Sequence, residues 1–347
     1  MNGVSLFANV GIGETYAHEY GINIVVANEL LKDRADFYKF VHPNTEVVAG
    51  DITKESVYNT TLELAKKHNC EFILATPPCQ GMSNAGRKRE GDERNILIKY
   101  VLSFAQELLP KYILIENVPG MLKTFVDIDG KDQLFFDHIV DTLGEKYKIK
   151  SAVMDAADYG TPQYRKRAIF LLSRNDVELW EFPERQKHIT VREAIGHLPT
   201  LESGESSEIP FHRAKVHNLN HIETMRHTPT GHTAFDNEKY YPKRADGKRV
   251  RGYKTTYKRM DWDKPAPTIT MGNGSISSQN NVHPGRLLED GTYSDARVLT
   301  LKELFILTGL PDDWTPPDVS DNLIRQVIGE CLLPKLVNSL LTTLPKE

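Results

Sequence analysis

The sequence is poor in cysteine: Cys70, Cys79 and Cys331 are the only three in 347 residues. An odd number, at spacings unlike those of metal ligands, points to neither a disulfide framework nor a zinc site, and a reducing cytoplasm is the expected compartment. Positive charge is not in excess either. The 43 Lys and Arg against 47 Asp and Glu leave a formal net charge of −4, so any site for a polyanion must be local. No segment stays apolar for the length of a membrane span. The start, Met1-Asn2-Gly3-Val4-Ser5-Leu6, lacks the positive residues and long apolar core of a signal peptide, so a soluble intracellular protein is expected. Internal repeats and low-complexity tracts are missing too. What remains is a chain long enough for one large domain, or a large one with a smaller companion.

The most informative stretch is Phe72-Ile73-Leu74-Ala75-Thr76-Pro77-Pro78-Cys79-Gln80-Gly81-Met82-Ser83. The apolar run reads as a buried strand, and the prolines end it because they lack the N–H a central strand needs. Cys79 therefore falls just past the C-terminal edge of a strand, where open α/β sheets bind ligands. A thiol there is a candidate nucleophile; a small buried hydrophobe is the plainer reading. The residues that follow, with Arg87-Lys88-Arg89, read as an anion-seeking loop over 80–95.

Upstream, Val4-Ser5-Leu6-Phe7-Ala8-Asn9-Val10-Gly11 reads as a strand entering a glycine turn, followed by a helix over 15–20 and a second strand ending at Glu29. Strand, glycine turn, helix, strand and terminal acid are the layout of a nucleotide-type cofactor site, the acid accepting ribose hydroxyls. Asp51, after the strand Val47-Val48-Ala49, is either a second cofactor carboxylate or a turn residue before the next helix. A further strand, Tyr112-Ile113-Leu114-Ile115, stops at Glu116-Asn117-Val118-Pro119-Gly120. Glu116 thus repeats the arrangement of Cys79. In Gln163-Tyr164-Arg165-Lys166-Arg167, strand alternation sends Gln163, Arg165 and Arg167 to one surface, which is either a site or a charge-protected edge.

From about residue 181 to 294 the long apolar strands disappear. The run 243–259, which includes Lys248, Arg249, Arg251, Tyr253 and Tyr257, interleaves cations with aromatics. That pattern suits phosphate neutralisation and base contact, or a solvated charged face. A helix is expected from Arg297, and another from Asp321 to Leu344, broken at Pro334.

Taken in order, Pro78-Cys79-Gln80-Gly81-Met82-Ser83, Glu116-Asn117-Val118, Gln163-Tyr164-Arg165-Lys166-Arg167, and Arg297-Val298-Leu299-Thr300 through Glu303 and Leu310-Pro311 resemble the motifs of the C5-cytosine DNA methyltransferases, over nearly the whole chain. The resemblance implies an α/β, Rossmann-like domain that depends on S-adenosyl-L-methionine, with a mixed, mostly parallel sheet and no metal. This catalytic domain would span 1–185 and be completed by 320–347, with an irregular target recognition domain over 186–295 and a hinge over 296–319. It implies Cys79 as nucleophile at C6 of a flipped-out cytosine, Glu116 at N3 and the exocyclic amine, Arg165 at O2, and Arg167 fixing the site. Cofactor contacts carried over are Phe7, Ala8, Asn9, Gly11, Glu29, Asp51, Ile52, Pro78, Leu97 and Glu330; DNA or substrate contacts are Gln80, Ser83, Asn117, Gln163, Lys248, Arg249 and Arg251. Two glycines of the family's first turn are replaced by Asn9 and Ile12. Asn tolerates left-handed angles, whereas Ile12 implies a shifted turn with Gly13 compensating. The implied partners are double-stranded DNA and, functionally, a cognate restriction endonuclease, for a monomeric, nucleoid-associated prokaryotic enzyme. A transfer-RNA cytosine methyltransferase and a catalytically inactive DNA-binding homologue are the alternatives.

Overall fold

A computed structural model describes residues 1–78, 97–128, 131–244 and 246–346. Cys79, Gln80, Ser83 and the expected loop 80–95 lie outside the described residues. Two compact units are present: Met1–Asp155 with Lys166–Arg185 and Leu336–Glu347, and Ala156–Arg165 with Gln186–Lys335.

In the first unit β1 (Asn2–Leu6), β2 (Asn23–Glu29), α1 (Lys32–Val41), β3 (Glu46–Ala49), α2 (Glu55–Lys67), β4 (Cys70–Ala75), α3 (Ile98–Leu108) and β5 (Tyr112–Asn117) alternate strand and helix, as a parallel sheet requires. A hairpin of β6 (Phe125–Ile128) and β7 (Lys131–Leu134) follows, then α4 (Phe135–Leu143), β8 (Tyr147–Asp155) and β9 (Lys166–Arg174). The main sheet has the order β3-β2-β1-β4-β5-β9-β8. Its first five strands run parallel, while β9 is antiparallel to both of its neighbours. Strand order reverses between β1 and β4, so a crevice opens at the C-terminal ends of these two strands.

β4 and β5 read as apolar throughout because both faces of the sheet are covered. On one face Ile73, Ala75, Ile113 and Ile115 join a core with Val101 and Phe104 of α3 and with Phe135 and Ile139 of α4. On the other, the rings of Phe72 and Tyr112 each lie 6.0 Å from Trp180, which is fully buried and donates its indole N–H to Leu340 O at 2.9 Å. The stretch expected as a helix over 15–20 is instead a short 3-10 turn, Ala17–Tyr20, preceded by another, Ile12–Glu14. Gly21, at φ +74°, ends the second after four residues, too short a run for an α-helix to form.

The second unit carries α5 (Val191–Ile195), α6 (Leu219–Arg226), α7 (Leu301–Thr308) and α8 (Asp321–Glu330); α9 (Pro334–Leu341) starts at its C-terminal limit. Between helices its described residues form isolated bridges rather than ladders. Its small apolar core, which includes Met225, Tyr257, Ile276 and Val298, is supplemented by three fully buried arginines, Arg259, Arg297 and Arg325. Arg259 closes the basic run of the sequence, yet it is not a surface cation: its guanidinium donates to the carbonyls of Met225, His283, Ser294 and Asp295. Helix α7 begins at Leu301 rather than at Arg297, because Thr300 and Glu303 form a reciprocal capping box. Pro334 does break the C-terminal helix, α8 ending at Glu330 and α9 starting at Pro334.

These units differ from the sequence-based boundaries. Residues 156–165 and 320–335 go with the second unit. The reason lies in side chains that tie them there: Gln163 and Arg165 to the carbonyls of Leu307, Ile269 and Gly329, and Arg325 to the carbonyl of Leu299. The expected hinge 296–319 lies inside the second unit.

Candidate active site

The crevice at the β1–β4 switch point is built from strand ends. Past β1 the backbone takes left-handed angles at Phe7 (φ 59°), Asn9 (φ 51°) and Gly11 (φ 75°). Such alternation aims successive N–H groups into one concavity. Asn9 adopts the left-handed angle expected of it, but Gly13 does not compensate for Ile12; it sits within the 3-10 turn and is not among the positive-φ residues. Gly11 is confined twice over. Besides its φ, a Cβ there would fall 2.4 Å from the ring of His42, whose Nε2 is 2.9 Å from Gly11 O. Beneath this loop Tyr38 donates its hydroxyl to Glu14, and burial pushes the Glu14 carboxyl above its ordinary pKa against the pull of His42, Ser5 and Tyr38.

At the end of β2, Glu29 is buried and aimed by two backbone donors, Asn9 N–H to Oε2 at 2.9 Å and Leu31 N–H to Oε1 at 3.0 Å. Leu30 beside it is 59% exposed, an apolar shelf that periodicity did not single out; the signal was its place directly after the terminal acid. Asp51 follows β3 and Gly50 (φ 144°), with Oδ1 accepting Thr53 N–H at 3.0 Å. Asn28 ties the ends of β2 and β3 together by donating to Val48 O and Gly50 O. Ala8 and Ile52 are buried beneath these groups, Leu97 is partly buried at the start of α3, and Glu330 lies at the end of α8 in the second unit.

The chain entering Cys79 is pinned. Thr76 donates from N to Leu6 O and from Oγ1 to Phe7 O at 2.9 Å, and Asn117 donates from Nδ2 to Pro77 O at 3.0 Å. Asn117, expected at the substrate, braces Pro77 in this way, and its Oδ1 accepts Val118 N–H. Pro78, half-buried, is the last described residue before Cys79.

Glu116, at the end of β5, forms an ion pair with Arg167 of β9 at 2.5 Å. Ile169 is the residue opposite Glu116, so Arg167 is its diagonal neighbour on the same face. Arg165 goes elsewhere. It is 4% exposed, with Nη1 donating to Ile269 O at 2.9 Å and Nη2 to Gly329 O at 3.0 Å, both within the second unit. Gln163 is likewise committed, giving Nε2 to Leu307 O and accepting Ile269 N–H. Gln163 and Arg165 thus precede the regular strand, which begins at Lys166, whereas Arg167 lies within it.

A model of the C-5 cytosine-specific DNA methylases matches residues 1–346. The chain belongs to that family. It is an enzyme that depends on S-adenosyl-L-methionine and methylates C5 of cytosine in DNA. Type II methyltransferase M1.HgaI of Avibacterium volantium is 49% identical over 344 residues, covering 97% of this chain and 96% of that one. Type II methyltransferase M1.HphI of Haemophilus parahaemolyticus is 30% identical, over 90% of this methylase and 78% of its own length. The same fold is seen in an Escherichia coli prophage protein described as a DNA modification methyltransferase (TM-score 0.72, 20% identity, 99% and 98% coverage) and in Spodoptera frugiperda DNMT2 (TM-score 0.64, 18% identity, 99% and 98% coverage).

The residues of the crevice fit the methylase's cofactor. A turn kept free of a side chain at Gly11 lets backbone approach a ligand closely, and Glu29 has the chemistry to accept ribose hydroxyls. Gly11→Ala is expected to weaken S-adenosyl-L-methionine binding tenfold or more, since the left-handed angle alone costs about 1–2 kcal/mol and the His42 ring must also move. Calorimetric titration of the variant with cofactor checks this; unchanged affinity would remove Gly11 from the site.

Proposed function

We propose that this methylase modifies a cytosine within a specific double-stranded DNA sequence, as the protective member of a restriction–modification system in a prokaryotic cytoplasm. The observation that carries the reading is 49% identity, across nearly the whole of both chains, with a Type II methyltransferase. A functional link to a cognate endonuclease follows from that reading, and the enzyme is taken as a monomer.

Phe7, Asn9, Gly11, Glu29, Leu30 and Asp51 would hold the cofactor, which when bound supplies an electrophilic methyl group. The remaining chemistry belongs to the chain. C5 of cytosine is too weak a nucleophile until the ring is activated, so Cys79, as thiolate, adds to C6 of a base turned out of the duplex. Of the other cysteines, Cys70 is buried, and burial pushes its thiol up to about 12; Cys331 is also buried and points its thiol at Ile328 O. Glu116 holds N3 and the exocyclic amine. Arg167, already paired with Glu116, is the guanidinium assigned to O2, and Arg165 becomes the residue that fixes the backbone of its own unit. This reverses the order of roles expected from the motif.

The test is methyl transfer from labelled cofactor to duplex DNA, with RNA as the competing substrate. Arg167→Met is expected to lower kcat about a hundredfold with little change in melting temperature. Arg165→Met should instead lower the melting temperature, as it orphans two buried carbonyls. Transfer to RNA alone, or an Arg167→Met enzyme of full activity, would overturn the assignment.

A further inference from the structure

The first part of the densest basic run pairs back on itself across one antiparallel bridge, and this short hairpin sorts its cations into two sets. Lys243 and Arg249 bridge each other across the two strands; one position nearer the turn, Arg244 N–H donates to Lys248 O at 2.8 Å. Gly247 takes φ +79° and returns its N–H to Arg244 O at 2.9 Å. Successive residues of a strand face opposite ways, so Lys243 and Arg249 share one face while Arg244 and Lys248 share the other.

The first face is turned to the protein. Arg249 stacks on Tyr241 at 4.3 Å and gives Nη2 to Phe235 O at 2.9 Å and Asn237 O at 2.7 Å, and Lys243 lies 5.2 Å from the same ring. Segment 235–237 is itself fixed: Thr233 caps the 3-10 turn Ala234–Asp236 and donates its hydroxyl to Thr256 O, and Gly252 presses on the Phe235 ring, where a Cβ would come within 2.9 Å. Arg249, itself exposed, thus anchors the base of the hairpin to segment 235–237. The second face is open. Arg244 and Lys248 are exposed, and Arg244 has no side-chain partner among the described residues; Lys248 has only a 3.8 Å approach to the exposed Asp246. Arg251, just beyond the hairpin, is exposed as well.

We infer that this hairpin is the sequence-reading element of the methylase, entering the major groove of its DNA, with Arg244 reading a base edge, Lys248 and Arg251 meeting phosphates, and Arg249 acting as a positioning residue. A two-stranded ribbon is one of the two elements the major groove admits. A guanidinium free of protein partners matches the O6 and N7 acceptors of guanine in a bidentate pair, whereas an ammonium supplies a point charge suited to phosphate. Anchoring at Arg249 removes the ordering cost that a free ribbon would meet on binding. The inference rests on the reading that duplex DNA is the substrate.

The experiment is methylation of a randomised duplex library by the intact enzyme, read by bisulfite sequencing, with steady-state kinetics on the preferred site at several salt concentrations. Arg244→Gln is expected to make the preferred sequence degenerate at one guanine-bearing base pair and to raise KM for the preferred DNA about tenfold or more, leaving kcat unchanged. Lys248→Gln should raise KM alike for all sequences and reduce the salt slope by about one, with the sequence profile intact. Arg249→Lys keeps the charge but loses the planar stack and fork, so KM for DNA should rise while kcat and the sequence profile hold. If Arg244→Gln keeps the wild-type profile at every base pair, base reading by Arg244 is overturned, whether KM is unchanged or rises uniformly with a reduced salt slope, and DNA methylation stands. If the wild-type enzyme leaves the library unmethylated, the reading beneath fails and the inference with it.

Discussion

Cys79→Ser is expected to lower methyl transfer to DNA by at least about a thousandfold while leaving cofactor affinity and the melting temperature unchanged. A serine hydroxyl is far less acidic than a thiol, so almost no alkoxide is present near neutrality, and the cysteine thiolate is the better nucleophile toward an electron-poor carbon. Upstream of the cysteine, the pins of Thr76 on Leu6 and Phe7 and of Asn117 on Pro77 do not involve the thiol, so the substitution leaves them in place. A covalent trap gives the sharper readout. In a duplex carrying 5-fluorocytosine at the target, fluorine at C5 cannot leave as the proton does, so after methyl transfer the sulfur–C6 bond persists. Wild-type protein should then migrate with the DNA on a denaturing gel, and Cys79→Ser should not. A serine variant that retained transfer, or a wild type that formed no such band while methylating ordinary duplex, would remove the covalent step from the mechanism.

Most of the sheet was legible because its strands announce themselves. Phe72-Ile73-Leu74-Ala75 and Tyr112-Ile113-Leu114-Ile115 are apolar at every position, which a strand covered on both faces must be, and Glu29, Asp51 and Glu116 stand where such runs stop. What sequence could not supply is partner choice. Alternation states which face a side chain takes but not which group meets it, so it did not show that Ile269 O and Gly329 O hold Arg165 while Glu116 holds Arg167. The same blindness covered the basic run, where Arg249 and Arg259 are framework cations and Arg244, overlooked, is an open one. The short 3-10 turns before β2 were missed for another reason: side-chain periodicity over six residues does not separate a helix from a tight turn.

Arg297→Met is expected to destabilise the second unit by about 3–5 kcal/mol, enough to lower its melting transition by about 10 °C. Arg297 is fully buried, and its guanidinium holds both oxygens of Glu303 at 2.8 and 2.9 Å, Asp295 Oδ1 at 2.8 Å and Leu201 O at 2.8 Å. Truncation would leave the buried Glu303 without its guanidinium and Asp295 to Arg286 at 3.3 Å, and Glu303 also caps α7 through Thr300 N–H at 2.7 Å. Burial would raise the Glu303 carboxyl, but Arg297, then His283, bring it down to about 2. His283 sits 3.7 Å from both Asp295 and Glu303, and it is neutral: Nδ1 accepts Gly285 N–H at 3.1 Å, and burial, helped by Arg297, lowers its pKa to about 4. The signs agree for both groups. An unfolded His283 takes up a proton below about pH 6.5 while the folded one stays neutral, so stability falls as pH drops from 6.5 towards 4. The contribution of Glu303 is complete above its unfolded value of about 4.5 and is lost as pH falls towards 2. Between pH 7 and pH 5 the Glu303 contribution is silent; His283, at about 1.4 kcal/mol per pKa unit, should cost the second unit about 2 kcal/mol, and His217, which burial lowers to about 4, adds a loss of the same sign. Urea unfolding at those two pH values, followed by the fluorescence of Trp262, whose ring lies 5.2 Å from His283, measures it. His283→Gln should lessen that dependence, leaving the part that His217 carries, and a variant as steep as the wild type would show that the His283 imidazole is already charged within the Arg297–Glu303 network.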